Sequence, residues 1–229
     1  MVYLYSLLTV LTAYVVGSLS FAVIVSRLMG LSDPRGYGSK NPGATNVLRS
    51  GNKAAAVLTL LLDALKGYVP VLLVQLFGPR IGLGDTTAAF VGLAAFLGHL
   101  WPVFFSFKGG KGVATAAGVL LAFNPLLGAA TLASWLLIVV FFRYSSLASI
   151  VAAAFAPFYQ LLIWGVEPAL LAIVPMSLLL IWRHEGNIRK LLAGTESRLG
   201  QKAGAAVAPQ ARAHGHHHAQ HHGHRRGHK

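Results

Sequence analysis

The sequence predicts an all-α membrane protein with seven transmembrane helices, its N-terminus outside and its C-terminus in the cytoplasm. The first reason is composition, because 55% of the 229 residues are hydrophobic and only 11% are charged. The mean hydropathy of +0.62 lies far above that of a soluble domain of average composition. The second reason is a series of apolar runs, and the third is the side of the membrane on which the basic residues between them fall.

The apolar runs are separated by short polar segments. They are Tyr3 to Leu28, Ala54 to Phe77, Ala88 to Phe105, Val113 to Phe123, Pro125 to Phe142, Leu147 to Trp164 and Val166 to Trp182. A hydrocarbon core of about 30 Å requires roughly 17 to 25 helical residues, so only the run from Val113 is short enough to be a half-helix. The first run has no basic residue before it and is too long for a signal peptide, so we expect it to remain as a spanning helix.

The distribution of charge favours a full crossing by every run. One side then holds nearly all basic residues between helices: Arg27 to Lys53, Phe107 to Gly112, the turn at Arg143, and the residues from Arg183 onward. The other side holds only Arg80, with Asp85 and Glu167. The positive-inside rule makes the basic side cytoplasmic, and a re-entrant Val113 to Phe123 would place the basic C-terminal segment outside. We therefore predict seven crossings.

Composition also excludes several kinds of chemistry. The chain has no cysteine, which removes thiol catalysis and cysteine metal sites. Six acidic residues, scattered along the chain, argue against a carboxylate metal site, and no GxSxG nucleophile elbow occurs. We therefore predict no metal and no cofactor. The net charge of +13 is explained better by membrane topology than by nucleic-acid binding, because no soluble domain is present to carry such a surface.

Three polar segments share the predicted cytoplasmic side, and the first is "GSKNPGATNVLRSGNK", Gly38 to Lys53. Pro42 and Gly43 favour a turn, and Arg49 follows it. Short polar side chains surround this turn: Ser39, Asn41, Thr45 and Asn46. Exposed backbone amides with hydroxyls and a guanidinium nearby can hold an anion, although an ordinary surface loop explains this segment equally well.

The second segment is "FKGGKGVAT", Phe107 to Thr115, which resembles a phosphate-binding loop. A Walker A motif requires a Gly separated from the Gly-Lys pair by four residues, and Ser or Thr after the lysine, whereas this chain has Phe105 and Gly112 there. A nucleotide loop is therefore excluded. Glycines at 109, 110 and 112 allow close approach of the backbone to a ligand, and Lys108 and Lys111 supply charge. A topology signal with a flexible turn is the alternative.

The third segment is "RHEGNIRKLLAGTESRLG", Arg183 to Gly200, which we expect to extend the last helix out of the bilayer. His184 and Asn187 lie three residues apart, so a helix would place both on one face towards a substrate. We expect the basic residues of this segment to lie near lipid headgroups: Arg183, Arg189 and Lys190.

Two features lie outside these segments. Asp63 and Lys66, three residues apart in an apolar run, are expected to form an ion pair that supports the helix bundle, and His99 is expected to be an interfacial or packing residue. Residues 201–229 contain eight of the ten histidines in a low-complexity stretch, which predicts a disordered tail separate from a 1–200 membrane domain.

Together the segments resemble the bacterial membrane acyl-phosphate:glycerol-3-phosphate acyltransferase family. The resemblance is carried by three motifs in that family's order, "GSKNPGATNVLR", "GHLWPVFFSFKGGKGVAT" and "RHEGNIRKLLAGTE", and by the intramembrane "DALKG", which recurs in that family. It implies transfer of a fatty acyl group from acyl-phosphate to the 1-hydroxyl of glycerol 3-phosphate. The products would be 1-acyl-glycerol 3-phosphate (lysophosphatidic acid) and phosphate. The site would face the cytoplasm of the bacterial inner membrane, and a soluble enzyme would supply acyl-phosphate made from acyl carrier protein.

The resemblance also implies site residues. The catalytic positions are Ser39, Lys111, His184 and Asn187. The substrate-binding positions are Asn41, Gly43, Thr45, Asn46, Arg49, Lys108, Gly109, Gly110 and Gly112. The turn at residues 43–45, Ser39 and the three glycines are expected to hold the donor phosphate, and Arg49, Lys111, His184 and Asn187 to hold glycerol 3-phosphate. Glu196 is expected to brace the third segment.

The proton acceptor stays open between His184 and the donor phosphate, and we favour direct transfer to the acceptor with phosphate taking the proton. Two other functions are considered. A transporter of phosphate esters or organic anions should show internal repeats and a midplane site, and no clear repeat is found. A CDP-alcohol phosphotransferase should have clustered aspartates, whereas Asp33, Asp63 and Asp85 are far apart in sequence.

Overall fold

Residues 1–200 are described by a computed structural model, and they form an all-α fold. The helices are α1 (Val2–Gly17), α2 (Phe21–Leu28), α3 (Ala44–Leu48), α4 (Lys53–Phe77), α5 (Asp85–Leu100), α6 (Val113–Phe123), α7 (Pro125–Phe142), α8 (Ser145–Ile163), α9 (Leu170–Arg183) and α10 (Glu185–Leu192). The predicted histidine-rich tail lies outside the described residues. The all-α prediction is confirmed.

Four segments are long and apolar enough to cross a membrane: Lys53–Ile81, Asp85–Phe105, Pro125–Phe142 and Ser145–Ile163. The bent pair α1 and α2 would make a fifth span, and α6 and α9 are shorter apolar helices. The α6 bounds agree with the short run predicted from Val113, and at about 1.5 Å per residue its length is roughly 16 Å. The prediction of seven crossings therefore depends on α6 and α9.

The first span is broken, whereas the sequence predicted one continuous helix. The chain turns by 44° between α1 and α2. At this break Lys66 of α4 donates from Nζ to the backbone carbonyl of Leu19 at 2.7 Å, and the Ser18 hydroxyl donates to the carbonyl of Tyr14 at 2.9 Å. These donors satisfy carbonyl groups near the interruption, which is what permits it inside an apolar environment.

Glycines allow the main helices to pack at close range. A Cβ atom on Gly17 of α1 would lie 2.1 Å from the Ala95 carbonyl oxygen of α5, and one on Gly118 of α6 would lie 2.0 Å from the Ala64 oxygen of α4. Small residues at helix crossings are typical of membrane helices, where dispersion and backbone contacts replace the hydrophobic driving force. The glycines therefore allow α1 to pack against α5, and α6 against α4, at backbone contact distance.

The outer faces of the bundle are apolar. On α7, large side chains are exposed along the helix, including Leu136, Leu137, Val140 and Phe141. A water-soluble protein of this size rarely exposes such a continuous apolar surface, whereas lipid solvates it. The structure thus agrees with a multi-pass membrane protein.

Candidate active site

The three predicted segments meet in the structure. Lys111 donates from Nζ to Asn187 Oδ1, which joins the second segment to the third. Arg49 donates from Nη2 to Ser197 Oγ at 2.5 Å, which joins the first segment to the third. These residues are 76 and 148 positions apart in the chain, so only the packing of the helices brings them together.

Lys111 and Asn187 belong to a longer hydrogen-bonded chain. Asn187 donates from Nδ2 to Glu196 Oε1 at 2.7 Å, and Ser146 Oγ donates to the same oxygen at 2.7 Å. Glu196 therefore accepts from two elements, in agreement with the bracing role expected for it. This arrangement holds the Asn187 amide with its oxygen towards Lys111 and its nitrogen towards the carboxylate.

The charges of Lys111 and His184 are set by their surroundings. Burial lowers the pKa of Lys111 to about 8; the Glu196 carboxylate opposes this shift, and the charge of Arg183 adds to it. Lys111 is still largely protonated at neutral pH. Burial and the positive charge of Lys111 lower the pKa of His184 to about 4, so its imidazole is neutral at pH 7. His184 Nδ1 lies 2.8 Å from the Leu180 carbonyl oxygen, and if it donates this bond then Nε2 carries the free lone pair.

His184 and Asn187 do not lie on one continuous helix, contrary to the expectation from their spacing. The last membrane helix ends at Arg183, and α10 begins at Glu185 with His184 between them. His184 is 3% exposed and its ring is turned back to α9, whereas Asn187 reaches Lys111. Because of this break, the His184 ring contacts the backbone of α9, whereas the Asn187 amide contacts the second segment.

The first segment is organised around Asn46. Its amide is 2% exposed, donates to the carbonyls of Pro34 at 2.6 Å and Tyr37 at 3.1 Å, and accepts from the Ser39 N–H at 3.0 Å. Because both ends of this amide bind the loop itself, Asn46 shapes the segment and has little capacity left for a ligand.

The other predicted residues of this segment lie around that loop. Ser39 and Thr45 are exposed, Asn41, Gly43 and Arg49 are partly buried, and Thr45 Oγ1 lies 3.4 Å from Ser145 Oγ. Within residues 1–200, the hydrogen bonds that join the segments do not include the Ser39 hydroxyl.

Arg183 holds the glycine segment, which we define as residues 109–112. Its guanidinium donates to the carbonyl oxygens of Gly109 at 3.0 Å and Gly110 at 3.1 and 3.2 Å. Gly112 has a φ of +85°, and a Cβ atom at this position would lie 2.2 Å from the Phe96 ring. Both features require glycine there. α6 starts directly afterwards without a side-chain cap, so its first amides are available to an anion.

Lys108 is exposed and lines a cavity of about 300 Å³ that borders the same glycine segment. The lining is basic: Arg35, Lys40, Pro42, Phe107, Lys108, Gly109 and Arg183. Arg35 forms an ion pair with Asp33 at 2.6 Å. The other exposed cations that line the cavity are Lys40 and Lys108. Positive charge therefore lies on more than one side of the glycines.

Sequence reasoning missed two contributors. Arg183 was expected at the lipid surface, and instead it binds two backbone carbonyls of the glycine segment. Ser146 was not considered, although it reaches Glu196 from the start of α8. The "RYSS" stretch, residues 143–146, lies on the predicted basic side, and that position was the only signal for Ser146.

A sequence model of the family described as glycerol-3-phosphate acyltransferase matches residues 7–194. The chain belongs to this family. It is 61% identical over 206 residues to a glycerol-3-phosphate acyltransferase of Paraburkholderia phytofirmans, covering 89% of this chain and 96% of the relative. It is 66% identical over 190 residues to the enzyme of that name from Ralstonia nicotianae, covering 83% and 92%. The protein is thus a membrane acyltransferase of phospholipid synthesis that acylates glycerol 3-phosphate.

Solved structures show the same relationship. The fold is similar to that of PlsY (YgiH), an integral membrane glycerol 3-phosphate acyltransferase crystallised in a glycerol 3-phosphate form. The TM-score is 0.80 at 41% identity, and the match covers 86% of this chain and 96% of PlsY. For the lysophosphatidic acid form of PlsY the TM-score is 0.77 at 40% identity, with 85% and 95% covered. The resemblance inferred from the motifs is confirmed.

Proposed function

We propose that this acyltransferase uses acyl-phosphate as its donor and releases 1-acyl-glycerol 3-phosphate and inorganic phosphate. The observation that carries the proposal is the hydrogen-bonded chain Lys111–Asn187–Glu196 beside a glycine segment with basic groups around it. A reaction of this type brings two phosphate groups to one site, and both must be neutralised. Related proteins with the glycerol-3-phosphate acyltransferase name support the acceptor.

The proposed division of the site follows the elements. Lys111, Asn187 and Arg49 bind glycerol 3-phosphate, since each makes a hydrogen bond between two of the three segments. The glycine segment, with Ser39 and the turn at residues 43–45, binds the donor phosphate through backbone amides and the first amides of α6. Lys108 and the basic cavity add charge on that side.

The proton of the acceptor hydroxyl goes to phosphate in this proposal. The donor phosphate gains negative charge as its bond to the acyl carbon breaks, so its basicity rises, whereas the pKa of His184 is lowered to about 4. Phosphate is therefore the stronger base at neutral pH, and the neutral imidazole orients the hydroxyl. The hydroxyl oxygen bonds to the acyl carbon, the acyl–phosphate bond breaks, and phosphate leaves with the proton. No acyl-enzyme forms.

We further propose seven membrane crossings, with the N-terminus outside and the site on the cytoplasmic face of the inner membrane. Contacts of Arg49 with Ser197, and of Arg183 with the glycine segment, support this topology, because the three basic segments lie together at one end of the bundle. A cytoplasmic site would receive acyl-phosphate from a soluble enzyme that makes it from acyl carrier protein.

Purified protein with acyl-phosphate and labelled glycerol 3-phosphate provides the test. We expect labelled 1-acyl-glycerol 3-phosphate, with strong losses of kcat/KM in Lys111→Ala and Asn187→Ala. Lys53→Ala is the charge control, because Lys53 is exposed at the start of α4. Product from acyl-CoA and none from acyl-phosphate would overturn the donor. Ping-pong kinetics or acylated Ser39 would overturn direct transfer.

A further inference from the structure

A buried group of ionisable side chains lies inside the helix bundle and takes no part in the proposed chemistry. Lys66 Nζ lies 2.7 Å from Asp63 Oδ1 on α4, which confirms the predicted ion pair. His99 of α5 lies beside that carboxylate, with Nδ1 3.6 Å from the same oxygen. The three residues are 2%, 4% and 7% exposed in the order Asp63, Lys66, His99. Ionised groups at such depth are costly and need a reason.

The far side of His99 touches the glycine segment. A Cβ on Gly110 would lie 2.2 Å from His99 Nε2, so the imidazole edge is packed directly on the Gly110 Cα. The backbone carbonyl of His99 also accepts the Gly110 N–H at 3.2 Å. His99 was expected to be an interfacial or packing residue, and its burial and its contact with Gly110 agree with packing. This packing places it between the buried ion pair and the segment that carries Lys111.

Gly110 is therefore held from two sides. His99 binds the Gly110 N–H and supports its Cα, while Arg183 binds the Gly110 carbonyl. Lys66 also binds Leu19 O at the break between α1 and α2 and lies over the Phe21 ring at 5.6 Å. The ion pair is thus bound to the break between α1 and α2, and the imidazole packs beside it.

We propose that His99, which lies beside the Asp63–Lys66 pair, is a positioning residue that sets the glycine segment for the donor phosphate. The proposal rests on the proposed function, in which backbone amides of this segment other than that of Gly110 bind that phosphate. Backbone donors cannot follow a displaced ligand, whereas the long Lys111 side chain can adjust. Loss of His99 should therefore weaken use of the donor more than binding of glycerol 3-phosphate.

Steady-state kinetics of His99→Asn, His99→Phe and Asp63→Asn test this proposal. We expect the KM for acyl-phosphate to rise and kcat to fall, together lowering kcat/KM for the donor by about tenfold or more, with the KM for glycerol 3-phosphate within about twofold of wild type. Thr131→Val is the control, because Thr131 is 7% exposed in α7 and donates within its own helix. Melting temperatures in detergent identify variants that simply fold poorly.

A double-mutant cycle separates positioning from general stability. Gly110→Ala should lose activity because its methyl group would overlap the His99 ring, and His99→Ala should relieve that overlap. We expect kcat/KM of the variant that combines Gly110→Ala with His99→Ala to exceed the value expected from multiplying the two single losses by about fivefold or more. Additive losses, equal rises in both KM values, or losses that follow the melting temperature would overturn the inference. An inactive wild type with acyl-phosphate would instead overturn the proposed donor.

Discussion

Glu196→Gln tests the hydrogen-bonded chain most directly. The substitution keeps the side-chain shape and an acceptor oxygen but removes the negative charge that accepts from Asn187 and Ser146. Bonds to a charged group contribute roughly 1 kcal/mol more than neutral ones, so two bonds lose about 2 kcal/mol. If this loss appears fully in the transition state, kcat/KM falls by about 30-fold.

The same substitution should shift the pH profile in a defined direction. The cationic form of Lys111 binds phosphate, and this form is present below its pKa and lost as the pH rises through about 8. Glu196 opposes the lowering of that pKa, so its removal lowers the pKa of Lys111 further. The alkaline limb of kcat/KM should therefore move to lower pH, since kcat/KM reports groups of the free enzyme.

Initial rates from mildly acidic to alkaline pH provide the assay, with Ser146→Ala as the matched control. That control removes one hydrogen bond from Glu196 and leaves the charge, so the rate should fall without a shift of the limb. An unchanged alkaline limb in Glu196→Gln, or a shift to higher pH, would refute the assignment of this limb to Lys111.

Two further substitutions test the support of the site. Arg183→Lys should lower kcat/KM by roughly 5- to 150-fold, because a lysine cannot reproduce the bonds of the guanidinium to two carbonyls. Arg189→Lys is the control and should have little effect, because Arg189 is exposed; equal activities of the two variants would contradict the role of Arg183. Gly118→Ala should lower the melting temperature in detergent, because its methyl group would lie 2.0 Å from the Ala64 carbonyl oxygen, while Gly186→Ala faces open space and should not; unchanged melting of Gly118→Ala would contradict the α4–α6 packing.

Much of the site could be predicted because its residues occur in three polar segments of an otherwise apolar chain. Lys111, Asn187 and Arg49 stood out as polar groups on the predicted basic side, and the structure places them in the junction of the segments. Asp63 and Lys66 were predictable as a pair because a helix places residues three apart on one face. The roles in catalysis stay predictions.

Other features could not be predicted, because each depends on a contact with a distant part of the chain. Arg183 follows an apolar helix in sequence, like many arginines at a lipid surface, and only the fold places the glycine carbonyls beside it. The break after Gly17 carries no proline, and its polar partner is Lys66, 47 residues from Leu19. Asn46 has a side chain that could bind a ligand, but its amide is hydrogen-bonded within its own loop.

The sequence by itself determined that this is an α-helical membrane protein, which segments are polar, and which family its motifs resemble. Those properties depend on the hydropathy, charge and identity of residues close together in the chain, and each apolar run must satisfy its own backbone in lipid. Only the tertiary structure decided that His99 supports Gly110, that Arg183 faces inward and that Glu196 joins Asn187 to Ser146. Such contacts depend on where the helices cross and how closely they approach, and glycines at the crossings permit the close approach.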